Sequence, residues 1–96
     1  MPRIESVYIV RCADGSLYVG RAGDVARRVE EHNAGVGAVY TTLRRPVQLV
    51  YSEECRSVIA ALSRERQLKC WTRAKKEALV AGRLETIHKL RQRRQR

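Results

Sequence analysis

Glu65 sits in the stretch LSRERQLKC, residues 62–70, a carboxylate between two arginines in a chain with 20 Lys and Arg against 10 Asp and Glu. A carboxylate can pair with a guanidinium or hold a hard cation. The face it occupies bears on which. With Val58 at zero and about 100° per helical residue, Leu62 lies at about 40°, Ala61 at about −60°, Leu68 at about −80° and Ile59 at about 100°. Glu65 then falls at about −20°, inside the apolar arc, where a charge needs a partner. Lys69 is four residues on, but such a helix pair contributes only about 0.2–0.5 kcal/mol, too little to explain a charge placed there. Periodicity leaves two readings equally open, a buried pair with an arginine or a metal ligand.

The segment VARRVEEHN, residues 25–33, carries a second group of chemistry-bearing side chains. With Val25 at zero, Val29 lies at about 40°, His32 at about −20° and Arg28 at about −60°, while Arg27, Glu30 and Glu31 fall on the far side. Arg28 and His32 therefore share the apolar edge, an unusual place for an arginine that is merely solvated. Arg27 belongs to a solvated basic face.

The elements that position these residues can be read from the chain. SVYIVRC (6–12) and LYVG (17–20) are β-branched and aromatic, and the ADGS between them carries an Asp-Gly hairpin signal. Asp24 caps a first helix that Asn33, Ala34 and Gly35 break. Residues 34–46 are glycine-rich and irregular, and VQLVYS (47–52) reads as a third strand entered through Pro46. Ser57 caps a second helix through about Lys69, and Thr72 a third that stops near Gly82. Leu84, Ile87 and Leu90 give a last short helical turn, and RQRRQR has nothing to bury. The order β-β-α-β-α-α predicts an α+β fold, a small three-stranded, mainly antiparallel sheet flanked by helices.

At 96 residues this is one domain, expected over 1–82, with a basic C-terminal tail over 83–96. The chain shows no membrane-length apolar run and no signal-peptide pattern, so a cytoplasmic protein with no membrane partner is expected. Cys12, Cys55 and Cys70 form no C-x-x-C pair and read as free thiols. The net charge is +10, of which residues 1–82 carry 14 basic against 9 acidic groups and residues 83–96 carry 6 against 1. A surface this basic attracts polyanions, and nucleic acid is the leading partner class.

Together the residues resemble the GIY-YIG nuclease superfamily, most closely its small stand-alone bacterial members. SVY (6–8) stands where that family has Gly-Ile-Tyr, and YVG (18–20) where it has Tyr-Ile-Gly. Arg28 follows Gly20 at the spacing of the family's arginine, RVEEHN matches R-x-x-x-H-N, and Glu65 takes the place of the metal-binding glutamate. GAVYTTLRRPVQLVYSEE and ALSRERQLKCWTRAKKEAL extend the similarity over about residues 6–81. Ser6 replaces the first motif's glycine and Ala22 a frequent threonine, neither with a proposed chemical role.

The resemblance implies a metal-dependent endonuclease that hydrolyses DNA phosphodiester bonds in repair, recombination or processing. It implies one divalent ion, Mg2+ or Mn2+, on Glu65, with Tyr8 as general base and Arg28 on a non-bridging phosphate oxygen. Tyr18 and His32 orient water or phosphate. Arg27, Arg44, Arg45, Lys69, Arg73, Lys75 and Lys76 would contact the phosphates of DNA, single-stranded or branched, with RNA a further possibility. Trp71 reads as a packed core residue rather than a base-stacking one. The alternative is a non-catalytic basic nucleic-acid-binding module on the same fold.

The hairpin supplies a geometric test of a shared site. A two-residue Asp14-Gly15 turn would pair Ala13 with Ser16 and put Tyr8 and Tyr18 on opposite faces. A shared site therefore requires a longer loop or a glycine bulge at Gly15.

Overall fold

β1, Glu5–Arg11, is the middle strand of a three-stranded sheet in which β2, Leu17–Ala22, and β3, Gln48–Cys55, both pair with it antiparallel. Its continuous run Val7-Tyr8-Ile9-Val10 follows from this placement, because a central strand covered on both faces buries every side chain. The computed structural model describes residues 4–82. The expected tail over 83–96, with its turn at Leu84, Ile87 and Leu90, lies outside the described residues.

One face of the sheet packs Val7, Ile9 and Val19 against Ala61 and Leu68 of α3, Val58–Lys69, and against Ala78 and Leu79 of α4, Arg73–Val80. Trp71 joins this cluster at 9% exposure, as a core residue. The other face packs Tyr8, Val10 and Cys12 against Val25 and Val29 of α1, Val25–Ala34. The architecture is the expected α+β sheet flanked by helices.

The expected caps are in place. Asp24, Ser57 and Thr72 accept from the backbone N–H groups of Arg27, Ala60 and Lys75, and Gly35 closes α1 in the left-handed region at φ 84°. Three features differ from expectation. The irregular segment 34–46 contains a short helix, α2, Val39–Thr42, unannounced because Val39 and Leu43 are both 76% exposed and leave no buried stripe. β3 runs three residues beyond Ser52, since Glu53 and Glu54 pair with Val7 and Ser6 although acidic residues are uncommon in strands.

The third difference concerns α3. Ala61 and Leu68 face the sheet, whereas Val58, Leu62 and Ile59 are 40%, 36% and 80% exposed. The buried direction is rotated toward about −70° on the wheel defined above, so Glu65 stands on the margin of the buried face rather than at its centre.

Candidate active site

The site is built on the β1–β2 register. Tyr8 pairs with Gly20 and Val10 with Tyr18, so both tyrosines project from one face. The hairpin makes this possible through a three-residue loop, Ala13 to Gly15. Cys12 N–H donates to the Ser16 carbonyl (2.8 Å), and Gly15, at φ 86°, donates to the Cys12 carbonyl (2.9 Å). This replaces the Ala13–Ser16 pairing of a two-residue turn and supplies the glycine bulge that a shared face requires.

Gly20 gives Tyr8 its room. A Cβ at Gly20 would lie 2.5 Å from the Tyr8 ring carbon Cζ and from its hydroxyl, so the phenol rests directly on the glycine backbone. Tyr8 is 1% exposed, and its Oη is 2.6 Å from His32 Nε2. His32, fully buried at the end of α1, has its Nδ1 2.7 Å from Thr41 Oγ1 of α2. The Tyr18 ring meets the His32 ring edge-on at 5.5 Å and stacks with Tyr40 at 6.0 Å, and the Arg44 guanidinium covers Tyr40 at 3.8 Å. The aromatic groups thus form one continuous pile from Tyr8 to the surface.

Burial raises the Tyr8 pKa, and the Arg28 guanidinium beside it opposes that by hydrogen bonding and charge. Burial lowers the His32 pKa, reinforced by the Arg28 charge and opposed by Glu31. The pair is a protonated phenol against a neutral imidazole at neutral pH. Arg28 lies where its helical position placed it, side chain 36% exposed and paired with Glu31 at 3.2 Å, while Arg27 projects outward with its side chain 76% exposed.

Glu65 approaches from the opposite layer, its charge felt at Tyr8. Both readings of it meet here. Arg21 Nε lies 3.4 Å from Glu65 Oε1 and Lys69 Nζ 3.1 Å from Oε2. Arg21 also holds Glu5 at 2.7 Å.

A divalent ion fits this donor set in one form. Among the described residues there is no cluster of three or more His, Cys, Asp or Glu that could form a protein cage, and both His32 nitrogens already have partners. A carboxylate whose side chain is 14% exposed is a suitable anchor for a hard cation that keeps waters and takes substrate phosphate. Its present partners are long side chains, 32% and 51% exposed, that can turn away.

The sequence model of the GIY-YIG catalytic domain matches residues 5–78. The chain belongs to the GIY-YIG family. A UPF0213 protein of Staphylococcus aureus is 56% identical over 77 residues, covering 80% of this chain and 94% of the relative. Among solved structures, the UPF0213 protein BH0048 from Bacillus halodurans is 42% identical over 81% of this chain and 83% of that one, with a TM-score of 0.54. The protein EF2693 from E. faecalis is 36% identical over 88% and 86%, with a TM-score of 0.56. The family is one of nucleases, which places nucleic acid as its substrate class, and its members generally use divalent metal ions.

The basic residues expected at phosphates are distributed unevenly over this GIY-YIG domain. Arg44 pairs with Asp14 at 3.1 Å and Arg73 donates to the Gly15 carbonyl at 3.0 Å, so the two arginines bracket the hairpin tip. Arg45 donates to the Thr42 carbonyl at 2.9 Å, Lys69 holds Glu65, and Lys76 is half-buried. Lys75 departs from expectation. It is 3% exposed with its ammonium 4.8 Å from the Trp71 ring centre, so it packs into the core instead of facing a phosphate. The helix turns it inward beside Ala78 and Leu79, and its aliphatic stem shares their burial.

Sequence reasoning passed over Arg21, Thr41 and Tyr40. Strand alternation with Val19 could have placed Arg21 on the α3 face; nothing in residues 34–46 marked Thr41 or Tyr40, because α2 itself was not foreseen.

Proposed function

We propose that this protein is a metal-dependent endonuclease that hydrolyses DNA phosphodiester bonds, acting in repair, recombination or processing in the cytoplasm. The observation that carries the reading is the buried Tyr8–His32 contact of 2.6 Å with Arg28 beside it. A neutral imidazole against a phenol is a path for the phenolic proton. Tyr8 passes its proton to His32 Nε2 and takes one from the attacking water. The water oxygen forms the new P–O bond, and the ester oxygen on the other side departs. Arg28 donates to a non-bridging oxygen, a contact that strengthens as charge accumulates there. Glu65 would hold a divalent cation, Mg2+ or Mn2+, which would supply charge stabilisation to the phosphate and the departing oxygen. Tyr18 packs on His32 and keeps its ring in place.

A second reading, a non-catalytic nucleic-acid-binding module, has one observation in its favour, the occupation of both Glu65 oxygens by Arg21 and Lys69. One experiment separates the two. Labelled single-stranded, duplex and branched DNA, and RNA, are incubated with the purified chain and Mg2+, with or without chelator. The nuclease reading expects cleavage that chelator abolishes, and that Tyr8→Phe and Glu65→Gln each slow by on the order of a hundredfold or more. Tight binding without cleavage at any metal concentration supports the module. Undiminished cutting by Glu65→Gln sinks the metal role of Glu65.

A further inference from the structure

We propose that Thr41 is a positioning residue that holds His32 in its Nδ1–H tautomer and so leaves Nε2 bare to receive the Tyr8 proton. The proposal deepens the nuclease reading, and rests on it for the use of that proton.

The inference follows from counting protons. A threonine hydroxyl has one hydrogen and two lone pairs, a carbonyl has lone pairs alone, and a neutral imidazole has one N–H. Thr41 Oγ1 lies 2.9 Å from the Ala38 carbonyl oxygen and 2.7 Å from His32 Nδ1. The Ala38 carbonyl also accepts from the Thr42 N–H, while the single hydroxyl hydrogen of Thr42 has either the Ala38 carbonyl at 3.0 Å or the Gly35 carbonyl at 3.4 Å as acceptor. The Ala38 carbonyl cannot donate, so the 2.9 Å approach of its oxygen to Thr41 Oγ1 is favourable only with the Thr41 proton between them. That spends Thr41's one hydrogen, and its contact with Nδ1 must be closed by the imidazole's own N–H. Nε2 is then a lone-pair nitrogen 2.6 Å from a phenolic O–H.

The surroundings enforce this assignment. His32 and Thr41 are fully buried, and the Gly37 backbone lies so close to the ring that a Cβ there would strike Nδ1. No other polar partner for Nδ1 occurs among the described residues. The opposite tautomer would aim N–H at Tyr8, leaving no acceptor for the phenolic proton on the ring. In the proposed one, proton transfer breaks the Tyr8 O–H bond and forms N–H on His32. The resulting imidazolium has both nitrogens hydrogen-bonded without rotating the ring. The Nδ1–H bond to Thr41 strengthens as that charge appears.

The test reads the tautomer directly. The full chain, 15N-labelled and carrying His88→Gln so that His32 is its one histidine, is examined by long-range 1H–15N correlation near neutral pH. A protonated Nδ1 with a bare Nε2 is expected, kept by Thr41→Ser and lost toward the Nε2–H form in Thr41→Val. Cleavage should fall on the order of tenfold or more in Thr41→Val and return in Thr41→Ser. An Nε2–H ring in the parent overturns the proposal, as does a Thr41→Val ring unchanged from the parent. Should Thr41→Val fail to fold, the parent and Thr41→Ser spectra still decide. A parent with the expected ring that cuts no nucleic acid overturns the nuclease reading and leaves Thr41's hold on the tautomer supported.

Discussion

Gly20 and Tyr8 depend on each other at the scale of single residues. Tyr8 is 1% exposed, and its ring and hydroxyl lie directly over the Gly20 backbone, where a Cβ would come within 2.5 Å of them. Gly20→Ala therefore displaces the hydroxyl from His32 rather than merely tightening a contact. Such overpacking costs about 1–3 kcal/mol of stability. The expected outcome is a modest fall in thermal stability together with a cleavage loss like that of Tyr8→Phe. A Gly20→Ala protein that cuts at the wild-type rate would show that the Tyr8 position is not needed.

Elements act here through register. The hairpin loop fixes which faces β2 presents, and the loop depends on Gly15 at φ 86°, a conformation that costs a residue with a Cβ about 1–2 kcal/mol. Gly15→Ala should lower the unfolding free energy by about that amount in a urea titration. Gly15→Val should lower it further, because a β-branched side chain adds crowding there. Unaltered midpoints for both variants would mean the loop relaxes without strain. Opposite that loop, α3 contributes through its rotation. With Ala61 and Leu68 on the sheet, Glu65 comes to the margin, where its carboxylate is partly open to solvent.

The whole molecule is set by charge. Many basic side chains of the folded body are held by its carboxylates, as in the pairs of Arg11 with Glu77, Arg21 with Glu5, Arg64 with Glu53 and Arg44 with Asp14. Residues 83–96, with 6 basic groups against 1 acidic, hold half the net charge of +10. Phosphate contacts release counterions, so log affinity falls with log salt by about 0.9 per phosphate neutralised. A chain ending at Gly82 should therefore bind DNA more weakly with a shallower salt slope, while turnover at saturating substrate stays close to that of the full chain. Equal slopes for the two chains, measured by fluorescence anisotropy, would mean that the tail makes no phosphate contacts.

The amino-acid sequence by itself determined the helix caps, the apolar run Val7-Tyr8-Ile9-Val10 of β1, the buried His32, the placing of Arg28 on the Tyr8 side of α1 and the outward Arg27. These follow from local rules, a capping side chain or a period of 3.6 residues. It also set the condition that two tyrosines 10 residues apart must satisfy to share a face. Tertiary structure decided what depends on partners distant in the chain. The exposed Val58, Ile59 and Leu62 and the buried Lys75 both arise because a helix turns to fit its neighbours, and an apolar arc gives its direction only approximately. Thr41 reached His32 because α2 folds back over α1, a contact between residues that no periodicity links. Glu65 met Arg21 because a helix packs on a strand 44 residues away. Local order comes from each residue's own stereochemistry, whereas the Tyr8–His32–Thr41 contacts and the carboxylate's companions come from surfaces that meet only after the chain has folded.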